Sequence, residues 1–248
     1  MNNQIARDTR QALDEQGIAA LPHYDAFLER ACKTSPPRFG DASYYEIYDS
    51  VASDPQWMAL SLVTNAEREG DGATRLWNLA ACTSDPEVSE EIKQHAIDES
   101  MHSRAYLSMV DLVFPDATTP ELREQLLTLS PGFNGQSVPA ATPGSPFAHE
   151  VSVDDLIQMN IAEIRTRIHH LMQRPHLLRY CPEENRERLT RILDRLLHDE
   201  TKHIAYTARL IERFAPEQGL DKVEALLLER LRDFDAVTEE ELAARIFE

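Results

Sequence analysis

Apolar residues return every three or four positions in four long stretches of this chain, the period of a helix that buries one face. The first stretch opens at Ser53 or Asp54 with Pro55 behind it and runs to about Ala81. Leu62, Ala66, Ala73, Leu76, Trp77 and Ala80 define its apolar side. The second opens the same way, at Ser84 or Asp85 followed by Pro86, and runs to Phe114, where Pro115 stops it. Only a few residues join these two, so they are expected to be antiparallel neighbours. A third helix is predicted from near Ser152, fading around Gln173 and Pro175, and a fourth from near Pro182 to Pro216. No segment of any length shows the period of two that a half-buried strand requires.

A different kind of sequence separates the second helix from the third. "TTPELREQLLTL" reads as a short helix, and "SPGFNGQSVPAATPGSPFAHE" as a long loop. A loop of that length needs a reason, and a crossover between two helix pairs supplies one. The N-terminal segment, 1–54, and the tail, 216–248, read as further helices packed outside the four. The expectation is one all-α domain over 1–248, with a four-helix bundle at about 55–215 made of two antiparallel pairs.

On the second helix Val88, Ile92, Ala96, Glu99, His102, Tyr106, Val110 and Val113 form one stripe, apolar except in its middle. On the fourth, Leu193, Leu196, Leu197, Glu200, His203, Ile204, Thr207, Ile211 and Phe214 form another. Each polar interruption is the same motif, D-E-x-x-H, in "DESMH" at 98–102 and "DETKH" at 199–203. A lone E-x-x-H is an ordinary surface pair. Two copies, both on apolar faces, point their carboxylates into a core, where an ion without a partner is strongly disfavoured. The third helix offers Glu163, which shares a face with Leu156, Met159, Thr166 and His170. The first offers Glu67 or Glu69; Glu69 falls within the arc of Leu62, Leu76 and Ala80, and is preferred. Gly70, Gly72 and Ala73 beside it leave room for a metal, a substrate or a close helix approach.

A glutamate from each of two helices and an E-x-x-H from each of the other two is a di-metal carboxylate set. Four glutamates and two neutral histidines carry −4, which balances two divalent ions. Asp98 and Asp199 are expected to accept the second ring proton of His203 and His102 respectively, orienting those ligands. His198 lies on the opposite face from Glu200 and is read as a bystander.

Composition limits the partners. The net charge of −18 argues against nucleic acid or an anionic membrane. Cys32, Cys82 and Cys181 are widely spaced with no CxxC pair, so neither a zinc site nor a disulfide framework is signalled, and a cytoplasmic setting is the simplest. The polar N-terminus has no apolar core segment, so a signal peptide is not expected, and no apolar run reaches membrane-spanning length.

On Glu69, "DESMH", Glu163 and "DETKH" the chain resembles the ferritin-like di-iron carboxylate superfamily, over about two thirds of its length. The resemblance rests on six positions and the helix layout, so it addresses the superfamily and no single member. The p-aminobenzoate N-oxygenase group carries a further histidine one turn before the last glutamate, where this chain has Leu196. His170 is a candidate replacement. Rubrerythrin-type peroxidases usually add a CxxC module that is missing here, and ferritins lack such a long loop. The resemblance implies a non-haem oxygenase or oxidase that uses two iron ions, with Fe/Mn or Mn/Mn as alternatives. It would use O2 and an external electron donor to hydroxylate, desaturate or N-oxygenate a small organic molecule. A ferroxidase or peroxide-detoxifying protein without an organic substrate is the second expectation, and a homodimer is compatible with either. Tyr106 and Thr166, on the ligand faces, are the candidate catalytic hydroxyls.

Overall fold

A computed structural model describes residues 4–245 and Phe247. Among these residues the regular elements are all helical. Nine α-helices follow in order: α1 Gln4–Glu15, α2 Pro22–Thr34, α3 Ala42–Ala52, α4 Pro55–Cys82, α5 Pro86–Val113, α6 Pro120–Leu126, α7 Val153–Tyr180, α8 Arg186–Gln218 and α9 Leu220–Ala244. None is long and apolar enough to cross a membrane. The four long periodic stretches of the sequence are α4, α5, α7 and α8.

Local chemistry explains where these helices begin. Asp54 accepts a hydrogen bond from the Gln56 amide, and Asp85 from the amides of Glu87 and Val88. In both cases proline sits in the first turn, where no N–H is needed. Ser152 and Asp155 cap α7 reciprocally, each side chain accepting the other's backbone N–H. Gly219 joins α8 to α9 with φ +92, a conformation open to glycine and costly for other residues.

Two helix ends differ from expectation. α7 does not fade at Gln173 but continues through Pro175 to Tyr180. Proline there withholds a hydrogen bond from the Leu171 carbonyl, a cost of about 3 kcal/mol in a helix interior. Packing offsets it: Gln173, His176 and Leu177 are buried, and the Tyr180 hydroxyl donates to the Ala52 carbonyl at 3.1 Å. α8 likewise runs past Pro216 to Gln218.

The chain forms two compact units. The first contains α1, α2, most of α3, α7 up to Met172, α8 from Leu197, and α9. Its α7 and α8 segments run antiparallel, as Asn160 Nδ2 donates to the Ile204 carbonyl at 3.1 Å and Arg167 Nε to Thr201 Oγ1 at 3.2 Å. Glu212 of α8 accepts the amides of His23 and Tyr24, capping α2 from another helix because Leu21 cannot. Arg165 of α7 and Glu241 of α9 form a buried ion pair.

The second unit holds α4, α5, α6, the long loop, the rest of α7 and the first part of α8. Here α4 and α5 are an antiparallel pair in fixed register. Ser103 Oγ donates to the Ala66 carbonyl at 2.6 Å, and Ser89 Oγ to the Ala80 carbonyl at 2.8 Å. The Pro/Gly-rich loop is pinned along this pair. Phe133 stacks on Trp77 at 4.1 Å, the Thr142 amide donates to Asn78 Oδ1 at 2.6 Å, and Arg75 lies over the Phe147 ring.

The turn that starts this loop explains one glycine beside Glu69. A Cβ on Gly70 would stand 2.0 Å from the Leu129 carbonyl oxygen, whereas one on Gly72 would meet nothing closer than Glu99 Oε2 at 3.8 Å. Alanine gains up to about 1 kcal/mol of helix propensity at either position. At Gly70 the clash is with backbone that cannot rotate aside, and overpacking costs about 1–3 kcal/mol. Gly70→Ala is expected to lower the denaturation midpoint, while Gly72→Ala leaves it unchanged or raises it. Urea titration of both variants checks this.

Candidate metal centre

In the second unit α4 and α5 bring three candidate ligands together. Glu69, Glu99 and His102 are 9 %, 7 % and 2 % exposed. Each offers one ligand atom, and these atoms all lie within 4.8 Å of one another. His102 Nδ1 is 3.5 Å from a Glu99 oxygen and 3.8 Å from a Glu69 oxygen. Of the two first-helix glutamates, Glu69 is buried and Glu67 is exposed. The hydrogen bond from Ser103 to the Ala66 carbonyl holds α4 against α5 one turn from these residues.

The first unit repeats the arrangement on α7 and α8. Glu163, Glu200 and His203 are all buried. His203 Nδ1 is 3.3 Å from a Glu200 oxygen and 3.5 Å from a Glu163 oxygen. One turn before Glu163, Asn160 ties three helices together. It accepts from the Tyr24 hydroxyl of α2 and donates to the Ile204 carbonyl and Thr207 Oγ1 of α8. That buried network sets the register at which Glu163 meets the E-x-x-H of α8.

Each unit also carries a further buried histidine on a glutamate. His95 Nε2 is 3.3 Å from Glu99, and His170 Nδ1 is 3.8 Å from Glu200. His170 is the candidate additional ligand noted in the sequence. His95 was passed over, although it stands one turn before Glu99 and so shares its face. Of the two aspartates, Asp98 accepts from Gln94 and Asp199 from Lys202, each at 3.0 Å, and both are buried. Tyr106 is buried one turn beyond His102, and Thr166 is half-buried one turn beyond Glu163. His198 is exposed and meets Gln16 at 2.9 Å, as suits a bystander.

The donor set fits a metal. Carboxylate oxygens and neutral imidazoles suit first-row divalent ions, and desolvated carboxylates need either protons or cations. Without a metal the Glu69 and Glu99 carboxyls act as one system. Burial, then the Glu99 charge, pushes Glu69 well above its ordinary value. Burial also works against Glu99, but hydrogen bonds from Glu69, His102 and His95 outweigh it and hold Glu99 well below. The buried His and Glu groups of this chain could therefore hold a metal ion, and without one burial favours the protonated form of Glu69.

This pair makes the metal-free protein sensitive to pH. A carboxyl whose folded pKa is raised contributes full stability below its ordinary value of 4.5 and loses it as pH rises through the folded value. Metal-free Glu69→Gln, which cannot ionise, is expected to be more stable than metal-free wild type at neutral pH. The difference should close as pH falls below the ordinary carboxylate range. Denaturant midpoints in excess chelator across pH 4–8 measure it; a constant difference would remove the assigned proton from Glu69.

No protein-family model, no curated protein and no solved structure matches this chain.

Proposed function

We propose that this chain is a dimetal, O2-dependent oxidoreductase, most simply di-iron, that oxidises a small organic molecule. One observation carries the reading: the same arrangement, two buried glutamates on the Nδ1 of a buried histidine, occurs once in each compact unit. The ligands assigned are Glu69, Glu99 and His102 from α4 and α5, with Glu163, Glu200 and His203 from α7 and α8. Their four carboxylates match the charge of two divalent ions, and His95 and His170 stand by as a second nitrogen donor for each half. This charge balance, and two antiparallel helix pairs joined in chain order by a long Pro/Gly-rich loop, support the ferritin-like reading of the fold.

Two iron ions held by such a set would supply the redox chemistry for reducing O2 with oxidation of a substrate. The chain's own residues would do the rest. Glu69, Glu99, Glu163 and Glu200 would hold the ions and neutralise their charge. Asp98 and Asp199, each adjacent to a ligand glutamate, are assigned to orient the histidines through their second ring nitrogens. Tyr106 and Thr166 are the hydroxyls assigned to hold or pass a proton beside the ligands. For a hydroxylation, one oxygen atom enters the substrate and the other leaves as water. Two electrons from an external donor and two protons complete the balance.

Wild-type protein loaded anaerobically with Fe(II) is expected to hold two ions per chain by elemental analysis. Glu99→Ala and Glu200→Ala should each hold one or fewer. Two ions retained in both variants would refute the ligand assignment. Oxygen uptake then separates the organic oxidation from simple iron oxidation: only the first continues past the loaded iron when substrate and reductant are supplied.

A further inference from the structure

The second unit contains a cavity of about 470 Å³ between α5 and the first turns of α8. His102, the histidine that faces Glu69 and Glu99, forms part of its lining. Met101, Ala105, Ile192 and Leu196 make the rest of the interior apolar. Leu196 stands one turn before Glu200, so its side chain adds hydrocarbon where a polar residue would add a ligand. Three arginines of α8 complete the lining: Arg188, Arg191 and Arg195. All three are exposed, so their guanidiniums belong to the mouth of the cavity, while His102 is buried at its inner end.

These arginines are conspicuous in a chain with 25 basic and 43 acidic residues. Arg188 stands in the first turn of α8, where the helix dipole disfavours a cation, so helix stability is not the reason for it. Arg191 pairs with exposed Glu187 one turn away, a contact that an incoming anion can replace. Asp111 pairs with Arg123 and also feels the charge of Arg188, an exposed interaction that an incoming anion can replace. Three guanidiniums at one mouth above an apolar interior suit an amphipathic anion, since arginine's planar fork matches carboxylate and phosphate oxygens.

Resting on the dimetal reading, we infer that the substrate is a small molecule with a carboxylate or phosphate headgroup. That headgroup is held by Arg188, Arg191 and Arg195, and the hydrocarbon part lies against Ala105, Ile192 and Leu196 beside His102. The headgroup fixes orientation and keeps the polar end away from the metal ligands, so oxidation falls on the carbon chain or ring.

The test is calorimetric titration of the full-length protein with octanoate, octyl phosphate, 1-octanol and octylamine. One or both anions are expected to bind at least about tenfold tighter than octanol, with octylamine weakest; the better anion names the headgroup. Arg188→Gln and Arg195→Gln should each weaken anion binding about tenfold while leaving octanol unchanged. Arg174→Gln, whose arginine pairs with Asp194, should change nothing. Ala105→Trp should abolish binding of all four probes; if it fails to fold, the arginine variants carry the result alone. Octanol binding as tightly as both anions, anion affinity unchanged in both Arg188→Gln and Arg195→Gln, or no binding by any probe overturns the inference. Metal content is measured separately. Protein that holds two ions but does not select anions keeps the dimetal reading and loses this one. Protein that selects anions but binds no metal keeps the anion pocket and loses the dimetal reading.

Discussion

Four glutamates buried on apolar helix faces are the constraint around which this protein is organised. Glu69, Glu99, Glu163 and Glu200 are each at most 9 % exposed. Desolvating an unpaired carboxylate costs several kcal/mol even after relaxation, and a domain is stable by only about 5–15 kcal/mol in total. Four such costs exceed what the fold can bear, so each carboxylate must be answered by a proton, an imidazole or a metal. In each unit the answer begins the same way, with a histidine Nδ1 set between two glutamates.

The packing around each set keeps those partners in register. In one unit the Ser103 hydroxyl grips α4, and the Leu129 carbonyl presses on Gly70, next to Glu69. In the other, Asn160 binds α2, α7 and α8 just below Glu163. Hydrogen bonds of this kind are satisfied inside a dry interior, where leaving one unmade costs more than making it gains. They therefore fix helix positions more sharply than apolar packing, which tolerates small slides. The crossover loop belongs to the same design. Though mostly exposed, it is stacked and hydrogen-bonded along α4, and the short turn that begins it covers the glycine beside Glu69.

The charge distribution follows two separate rules. Inside, negative groups gather where cations can neutralise them. Outside, a strongly acidic chain places three exposed arginines around a cavity that reaches His102. Such a cluster is not needed to start a helix, and recognition of an anionic molecule is the role inferred for it.

Helix spans, helix starts and inward faces were legible in the sequence because they are local properties. The 3.6-residue period marks α4, α5, α7 and α8, aspartate followed by proline marks two of their starts, and the paired D-E-x-x-H motifs mark the buried Glu and His groups. What depends on distant neighbours was not legible. The period alone ranks Glu69 above Glu67, and the packed structure buries Glu69 while leaving Glu67 exposed. His95 became visible only as a buried ring touching Glu99. α7 continues through Pro175 because Ala52, far off in sequence, receives the Tyr180 hydroxyl. Gly70 is required by the carbonyl of Leu129, and the arginines of α8 gain meaning only beside His102. A helix period tells which way a side chain faces; the groups it meets there are chosen by tertiary contacts, which no local pattern specifies.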